Sequence, residues 1–311
     1  MLWRVKSLHL KLLSLTPGGR VFHRFTQKRV TGSTVATLNR VNQKAEVGLR
    51  YWDWLRANER TSQIVDGSLL DFGAGWHPTI PLLWHSIGNN NQLLVDVSPN
   101  MTAENVFATS AYLSKIMFKS DFAGTAFCKR PRNHNGNSSI ALSASASEAL
   151  QPFGIRYLAP YKNIFTTSEG RFDAIFCTQV LQHISLRDQL KIFRDFHTSL
   201  NPGGLVLAAT HLVGHFRNPS LRAGQYQHLM PSPWVWENIF NSSLMSFNRL
   251  KAPDYRQMLE HSGFRILEFQ VEQPTVEDLA ELAQTRIHPS FKHYSPEDLA
   301  SRSVFFVAEK K

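Results

Sequence analysis

The sequence predicts an α/β fold in which crossover helices connect parallel strands, on three observations. Short apolar runs that fit buried strands alternate with helix-length segments from residue 64 onward. The run SLLDF contains Asp71 and leads directly into a turn with two glycines, Gly73 and Gly75. The next run, QLLVDV, carries Asp96 near its end, about 20 residues further on. Glycines and an acid at neighbouring strand ends indicate a ligand site at the carboxyl edge of the sheet.

The later segments continue this alternation. SPNMTAENVFATSAYLSKIMF is expected to be helical, with Ser98 as N-cap and Pro99 at the first helical position. FGIRYLAP and RFDAIFCTQVL follow as strand segments, SLRDQLKIFRDFHTSL as an amphipathic helix and NPGGLVLAATHL as a turn and a buried strand. APDYRQMLEHSGFRILEFQVE predicts a helix and a strand, and SVFFVAEK predicts the last strand.

The domain organisation follows from composition. Residues 1–60 predict a basic, helical N-terminal extension, and residues 61–311 predict one α/β domain. Within that domain, residues 119–150 are rich in Ser, Ala, Asn and Gly and are expected to form a surface insertion, part flexible and part short helix. Residues 213–250 are polar and aromatic and are expected to form a lid on the acceptor side of the site.

The positive charge is concentrated at the N-terminus. The chain has a formal net charge of +10, and residues 1–60, with twelve Lys/Arg and three acidic residues, account for +9. Such an arm can contact nucleic acid, an anionic membrane surface or an acidic substrate, or it can be a solvated helical face. Apolar residues recur at helical spacing in LWRVKSLHLKLLSL, so a basic amphipathic helix on a membrane surface is one of the open readings.

The cellular location is predicted from the cysteines and from the apolar segments. Cys128 and Cys177 form neither a disulfide framework nor a zinc set, and Cys177 lies in an apolar run as a buried thiol. No apolar stretch is long enough for a membrane span, and the charged start of the chain is expected to be retained rather than cleaved. We expect a cytoplasmic protein, with peripheral docking on the inner face of the membrane left open.

The glycine turn also restricts the type of ligand. A dinucleotide site uses a third glycine for close helix packing and for access of the pyrophosphate. Here His77 and Pro78 follow instead, and proline supplies no N–H to a phosphate. The acid Asp96 suits two ribose hydroxyls. The pattern therefore favours a nucleoside cofactor without phosphates over a nicotinamide or flavin dinucleotide.

The segments LLDFGAGWHPTIPLL, LLVDVSP, RFDAIFCTQVLQHI, LNPGGLVLAATHL and DYRQMLEHSGFRI carry a family resemblance. In this order they resemble class I S-adenosylmethionine-dependent methyltransferases over roughly residues 65–310. The resemblance implies a Rossmann-like, seven-stranded sheet with helices on both faces. The GAGWHP turn resembles a bacterial subgroup, some of whose members are associated with glycan biosynthesis.

The resemblance implies S-adenosyl-L-methionine as cofactor and assigns roles to residues at three strand ends. The turn would lie under the methionine part, Asp96 would hold the ribose hydroxyls, Val97 would pack on adenine, and two residues after the fourth strand would line the amino-acid end. The full implied set is Asp71, Gly73, Ala74, Gly75, Trp76, Asp96, Val97, Thr178 and Gln179. The chain departs from many relatives in lacking an acid after the third strand, and His183 is interpreted as a structural helix-start residue.

Two histidines are the candidate catalytic residues. His211 ends the strand GLVLAATHL and His215 follows one turn later, on the edge where an acceptor would lie. A hydroxyl acceptor gains from a general base, so His211 is the first candidate and His215 the second; the alternative is that they bond the loop backbone. The segment THLVGHFRN contains no acid, so no metal site is predicted.

The predicted function is S-adenosylmethionine-dependent O-methylation of a small-molecule or glycan-type acceptor. One alternative is a methyltransferase that acts on nucleic acid or lipid and is held there by residues 1–60, although the chain has no dedicated nucleic-acid motif. Another is a non-catalytic binding protein that keeps the fold. A dehydrogenase is the remaining alternative, and tighter binding of a nicotinamide cofactor would favour it.

Overall fold

The computed structural model describes most of the chain: residues 2–19, 22, 26, 34–117, 145–161, 171–214 and 224–311. The predicted insertion 119–150 lies outside the described residues as far as residue 144. Two compact units are distinguished. The glycine-turn unit comprises residues 34–178, 195–207 and 309–311, and the C-terminal unit comprises residues 1–33, 179–194 and 208–308.

The seven strands form one sheet in the order β3-β2-β1-β4-β5-β7-β6. β1 pairs in parallel with β2 and with β4, and β2 pairs in parallel with β3. This arrangement confirms the predicted Rossmann-like sheet. The strands are β1 (Leu69–Phe72), β2 (Gln92–Val95), β3 (Ile155–Leu158), β4 (Phe172–Thr178), β5 (Leu200–His211), β6 (Phe264–Val271) and β7 (Ser303–Lys310).

Helices alternate with the strands along the described chain and also precede them. The predicted helical N-terminal extension is confirmed by α1, and a second long helix, α2, follows it before the first strand. The helices are α1 (Leu2–Leu15), α2 (Leu38–Ala57), α3 (Ser62–Val65), α4 (Thr79–Ser86), α5 (Ala103–Met117), α6 (Ala146–Leu150), α7 (Leu186–Ser199), α8 (Pro233–Val235), α9 (Ala252–His261), α10 (Val276–Ala283) and α11 (Pro296–Ala300).

Helix α5 corrects one expectation from the sequence. It begins at Ala103 and not at Pro99 behind a Ser98 cap. The Ser98 N–H donates a hydrogen bond to the Asp96 carboxylate (2.8 Å), which holds this residue in a turn after β2. The Thr102 hydroxyl instead accepts from the Asn105 N–H (3.2 Å), as an N-cap side chain does.

The core of the glycine-turn unit is apolar and aromatic. Leu69 and Leu70 of β1 are almost fully buried, and the predicted buried thiol is confirmed at Cys177. Phe72, the last residue of β1, packs edge-on against Phe196 with 5.0 Å between ring centroids. Burying large aromatic side chains in this way removes much apolar surface from water and fixes the end of β1, from which the glycine turn leaves.

Two buried cations tie together turns of the C-terminal unit. The Arg249 guanidinium lies between the rings of Trp236 and Phe291, 5.0 Å from each centroid, and donates to the Pro231 carbonyl (2.9 Å). Burial lowers the pKa of Arg249 to about 10. From residue 224 onward, the segment that was expected to form a lid consists of turns and short helices, and Arg249 connects it to Phe291 outside the segment.

Lys251 is the second of these cations and is fully buried. Its Nζ donates to the carbonyls of Leu212 and Leu299, each at 2.9 Å. Burial lowers the pKa of this lysine to about 7. The side chain supplies donors to two carbonyls that lie 39 and 48 residues away along the chain, and it joins the residue after β5 and the residue before α9 to α11.

None of the helices in the described part of the chain combines the length and the apolar composition that crossing a bilayer requires.

Candidate functional site

The register of β1 and β2 brings the glycine turn and Asp96 to the same edge of the sheet. Phe72 lies opposite Val95, so both strands end level and the residues that follow them are neighbours. Gly73 and Gly75 have φ of 78° and 68°, in the left-handed region that favours glycine. A Cβ built on Gly75 would meet only the Gly73 carbonyl oxygen, at 3.8 Å, so the turn has open space beside it.

Asp96 is fixed by the backbone around it. One carboxylate oxygen accepts from the Gly75 N–H (2.8 Å) and the other accepts from the Ser98 N–H (2.8 Å). Its own carbonyl accepts from the Tyr161 N–H (2.8 Å), beyond the end of β3. A carboxylate has about four acceptor positions, so two remain for donors from a ligand. The sequence predicted this residue at this edge, and the structure brings it against the glycine turn.

Asp71 is a half-buried carboxyl group in β1, next to the turn. None of the described residues donates a hydrogen bond to its side chain. Burial raises the pKa of Asp71 to about 6, the nearby Lys44 ammonium lowers it, and the charge of Asp96 raises it further. The site therefore contains a carboxyl group whose pKa is about 6, and a cationic ligand group would favour its ionised form.

Lys44, from α2, provides the positive charge of the site. Its Nζ donates to the His77 carbonyl oxygen at 3.3 Å, the one hydrogen bond that it makes among the described residues. Burial lowers the pKa of Lys44, while the charges of Asp71 and Asp96 raise it. The ammonium thus lies near two carboxylates but within salt-bridge distance of neither in the described structure.

His77 follows the glycine turn, where a dinucleotide site would have its third glycine. The ring is buried, and its Nδ1 is a buried atom that has no hydrogen-bond partner among the described groups. Burial lowers the pKa of His77 to about 4, and the charges of Lys44 and Arg40 act in the same direction. The ring is therefore neutral at physiological pH. Helix α4 begins at Thr79, after Pro78, without a side-chain cap.

Thr178, at the end of β4, bonds to a residue of α2. Its Oγ1 lies 3.0 Å from the hydroxyl oxygen of Tyr51, and either group can donate. Tyr51 is fully buried, and burial raises the pKa of its phenol well above the usual range. Two polar contacts, Lys44 with His77 and Tyr51 with Thr178, therefore connect α2 to the strand ends.

Sequence reasoning missed Lys44 and Tyr51 because it treated residues 1–60 as a basic extension. They are seven positions apart on α2, with Gly48 between them, and therefore lie on one face of the helix. A Cβ on Gly48 would lie 2.6 Å from Leu83 Cδ1 of α4, so the glycine permits close helix packing. A glycine inside a helical pattern, one turn from a lysine and from a tyrosine, was the available signal.

The other predicted residues of the glycine-turn unit differ in exposure. Ala74 is buried, and its N–H donates to the Val95 carbonyl (3.1 Å). Trp76 is half-buried. Val97 is 74% exposed, directly after Asp96. The buried alanine shapes the turn, whereas the exposed valine offers an apolar surface beside the acid.

Gln179 and the residues after it belong to the C-terminal unit. Gln179 has a left-handed φ of 59°, and its N–H donates to the Ala209 carbonyl of β5 (2.7 Å). Its side-chain oxygen accepts from the amide of Gln182 (3.3 Å), which in turn accepts from the Thr210 hydroxyl (2.5 Å). Backbone strain at a non-glycine residue next to a buried polar network is frequent at functional sites.

His183 and His211 lie in this unit, and the charge of His183 acts on the pKa of His211. His183 Nδ1 donates to the Ser246 carbonyl (2.6 Å), because a carbonyl can only accept, and this leaves Nε2 unprotonated in the neutral ring. Burial lowers the pKa of His211; the charge of Glu272 raises it and that of His183 lowers it. Both residues are exposed to solvent, so the desolvation of the His211 ring is partial. His215 lies outside the described residues.

Comparison with known proteins identifies the family. Residues 43–268 match the model of a methyltransferase domain. The chain belongs to this methyltransferase family. It is therefore an enzyme of the S-adenosylmethionine-dependent methyltransferase class, and S-adenosyl-L-methionine is its cofactor. No curated protein matches the sequence significantly.

Several solved structures are similar to this methyltransferase. An S-adenosylmethionine-dependent methyltransferase from Mesorhizobium loti is 17% identical, with 83% of this chain and 96% of that chain covered and a TM-score of 0.41. Magnesium protoporphyrin IX methyltransferase from Synechocystis PCC 6803, solved with S-adenosylhomocysteine, is 12% identical, with 94% and 99% covered and a TM-score of 0.42. Phosphoethanolamine N-methyltransferase 2 from Haemonchus contortus is 18% identical, with 78% and 48% covered and a TM-score of 0.36.

Proposed function

We propose that this methyltransferase transfers the methyl group of S-adenosylmethionine to a hydroxyl group of a small-molecule or glycan-type acceptor. The observation that carries the proposal is the set of under-satisfied polar groups beside the glycine turn. Asp71, Lys44 and His77 Nδ1 are buried or half-buried, yet together they make a single hydrogen bond through their side chains among the described residues. Buried polar groups normally have partners, so such a cluster is the place where a polar ligand is expected.

The cofactor has groups that match this cluster. Its ribose hydroxyls suit the two remaining acceptor positions of Asp96. Its amino-acid end carries an ammonium and a carboxylate, which complement Asp71 and Lys44 respectively. Val97 offers an apolar surface for adenine, and His77 Nδ1 can accept or donate one further hydrogen bond. Gly73 and Gly75 leave space for the ligand beside the backbone, with Ala74 and Trp76 shaping the turn.

Thr178 and Gln179 are proposed to line the amino-acid end of the cofactor. The bond between Thr178 and Tyr51 holds the threonine hydroxyl in place. The left-handed backbone of Gln179 directs its N–H toward β5. These roles are our proposal for residues that the sequence pattern selected.

The chemistry requires alignment and a proton acceptor. The bound cofactor supplies an electrophilic methyl group, and methyl transfer to oxygen proceeds by in-line displacement, so proximity and orientation provide most of the rate. The acceptor hydroxyl loses its proton as the new bond forms. We propose His211 as the group that receives it, because it ends β5 with solvent access to its ring and its pKa is lowered by partial desolvation, which leaves the ring neutral at physiological pH. His215 is the second candidate.

Residues 1–60 are proposed to contact an anionic surface, with the enzyme cytoplasmic and docked peripherally. Their net charge of +9 supports this contact. The domain boundaries at residue 60 and around the lid at residues 213–250 stay proposals. The alternative is that the enzyme methylates nucleic acid or a lipid and that the same positive charge holds this substrate.

Calorimetric titration with S-adenosylmethionine and S-adenosylhomocysteine tests the cofactor site. We expect micromolar binding that Asp96→Ala abolishes, because the ribose loses its acceptor. Asp53→Ala is the matched control, since the Asp53 carboxylate is exposed on α2 and, among the described residues, pairs with Arg56 alone, at 3.4 Å. Equal binding by the intact protein and Asp96→Ala would contradict the proposed site, and tighter binding of a nicotinamide cofactor would favour a dehydrogenase.

Transfer of label from methyl-labelled cofactor to separate pools of candidate acceptors tests the chemical class of the acceptor. We expect label in the sugar and small-hydroxyl pool, and in neither the nucleic-acid nor the lipid pool. His211→Ala should lose turnover by about 100-fold or more while keeping its affinity for S-adenosylhomocysteine. Label in another pool, or full activity of His211→Ala, would overturn the corresponding part of the proposal.

A further inference from the structure

Helix α1 presents two opposite apolar faces. One face packs inside the C-terminal unit: Trp3 is buried with Trp236 and Phe247, and its ring centroid lies 5.2 Å from that of Phe240. Lys11 anchors the same helix by donating to the carbonyls of Glu237 and Asn241. The helix is therefore held in place by its own unit, and its other face is turned outward.

The outward face is an apolar stripe, which we name the α1 stripe. Its four side chains follow the spacing i, i+3, i+7 and i+10 and so lie on one side of the helix. They are Val5, Leu8, Leu12 and Leu15, exposed by 60%, 46%, 57% and 73%. Single exposed apolar residues are ordinary, but four aligned large aliphatic side chains form a patch that marks an interaction surface.

The charge of the N-terminal sequence that contains the α1 stripe restricts the partner of the stripe. Residues 1–40 contain eight Lys/Arg and no Asp or Glu. Lys6 lies on α1 itself, and Arg4 lies over the ring of Trp3 at 5.6 Å from its centroid. A second copy of the chain would bring two such basic arms together, which like-charge repulsion disfavours. Nucleic acid would satisfy the charge but would leave the aliphatic stripe exposed to water.

We propose that α1 docks the enzyme on an anionic lipid surface, with the α1 stripe inserted at the boundary between headgroups and acyl chains. An amphipathic helix with a basic surround binds in this way by combining apolar burial with attraction to anionic headgroups. The inference deepens the anionic contact proposed above and names its partner as a lipid bilayer. It does not depend on the identity of the methyl acceptor.

Vesicle co-sedimentation of the full chain tests this docking. We expect binding to phosphatidylglycerol vesicles, weaker binding to phosphatidylcholine vesicles, and a loss of phosphatidylglycerol binding at high salt. The double variant Leu8→Ser with Leu12→Ser should bind phosphatidylglycerol vesicles about tenfold more weakly or worse. Its matched control is Leu186→Ser with Leu190→Ser, which removes two exposed leucines (56% and 36%) from α7 and should bind as the wild type does.

The competing partners give different results. Equal loss in both double variants, equal binding to the two lipids, or tighter binding to duplex DNA than to phosphatidylglycerol would overturn the proposal. A wild-type dimer in sedimentation velocity that the α1 variant dissociates would assign the stripe to a second copy instead. Calorimetry with S-adenosylhomocysteine, without vesicles, shows whether each variant is folded and whether the cofactor site works. Failure of the docking and failure of the cofactor proposal are thereby measured separately.

Discussion

The carboxylate of Asp96 accepts a hydrogen bond from the backbone N–H of Gly75 at 2.8 Å, across 21 residues of sequence. The bond connects the acid after β2 with the turn after β1. It keeps the turn in a left-handed conformation, with φ of 68° at Gly75, and it orients the acid. Neither element forms the proposed cofactor site without the other.

Gly75→Ala should weaken cofactor binding by about tenfold or more and cost about 1 kcal/mol of the free energy of unfolding. The left-handed φ is unfavourable for a residue with a Cβ, and the Cβ would enter the open space beside the turn. Calorimetry with S-adenosylhomocysteine and urea denaturation give the two quantities. Gly88→Ala is the matched control, because φ is 115° there and nothing lies within 4 Å. Gly88→Ala should destabilise the fold and keep cofactor affinity; equal affinity losses in both variants would contradict the role of Gly75.

Cofactor affinity should rise with pH through the titration of Asp71. The pKa of about 6 means that the carboxyl group is largely protonated at pH 5, whereas the proposed contact with the cofactor ammonium requires the carboxylate. Binding should therefore weaken as pH falls below 6, by up to about tenfold per pH unit. His77 does not contribute over this range, since its pKa is about 4. Asp71→Asn should bind weakly and almost independently of pH; an unchanged pH profile in this variant would exclude Asp71 as the titrating group.

Tyr51→Phe should lower the free energy of unfolding by about 1 kcal/mol, because it leaves the buried hydroxyl of Thr178 without this partner. Thr178→Val removes the other side of the bond. A double-mutant cycle from urea denaturation should give a favourable coupling between the two positions. Strict additivity of the two single variants would show that the 3.0 Å contact contributes nothing to stability.

The lowered pKa of Lys251 should make the fold more stable as pH increases. Its pKa is about 7 in the fold, below the ordinary value of 10.5, so between these values the unfolded chain binds a proton that the folded chain does not. The free energy of unfolding should therefore increase from pH 7 toward pH 10 by up to about 1.4 kcal/mol per pH unit, and this contribution is lost again as pH falls from 10 to 7, below which the lysine is protonated in both states. Lys251→Met should remove the slope and, with two carbonyls left unpaired, destabilise the fold at pH 10 by about 2–3 kcal/mol. A slope that persists in Lys251→Met would assign it to another group.

The sheet and the glycine turn could be predicted from sequence because both are local patterns. Alternation of apolar runs with helical segments indicated the fold class, and Gly73, Gly75 and Asp96 were placed at one edge of the sheet, where the structure has them. The start of α5 was predicted wrongly at Pro99 with Ser98 as its N-cap. Ser98 instead belongs to a turn around Asp96, and nothing in the local sequence distinguishes a cap from this turn.

The contribution of α2 could not be predicted in the same way. Lys44 and Tyr51 belong to a basic segment whose charges fit a solvated face equally well. Only tertiary packing shows that Lys44 is buried near two carboxylates and that Tyr51 reaches Thr178. The pKa of Asp71 likewise depends on burial and on a lysine 27 residues away, which no strand pattern contains.

Gly48 sets how closely α2 packs against α4, and α2 carries two polar side chains of the candidate site. The glycine lets α2 approach Leu83 so closely that a single methyl group would lie 2.6 Å from Cδ1. Lys44 and Tyr51 are carried on the same helix, so a side chain at residue 48 that Leu83 does not make room for would displace an ammonium and a phenol together. The position of the Lys44 charge beside Asp71 and Asp96 thus depends on a steric contact between two helix surfaces, and an uncharged substitution at residue 48 that moved α2 would change the electrostatics beside the glycine turn.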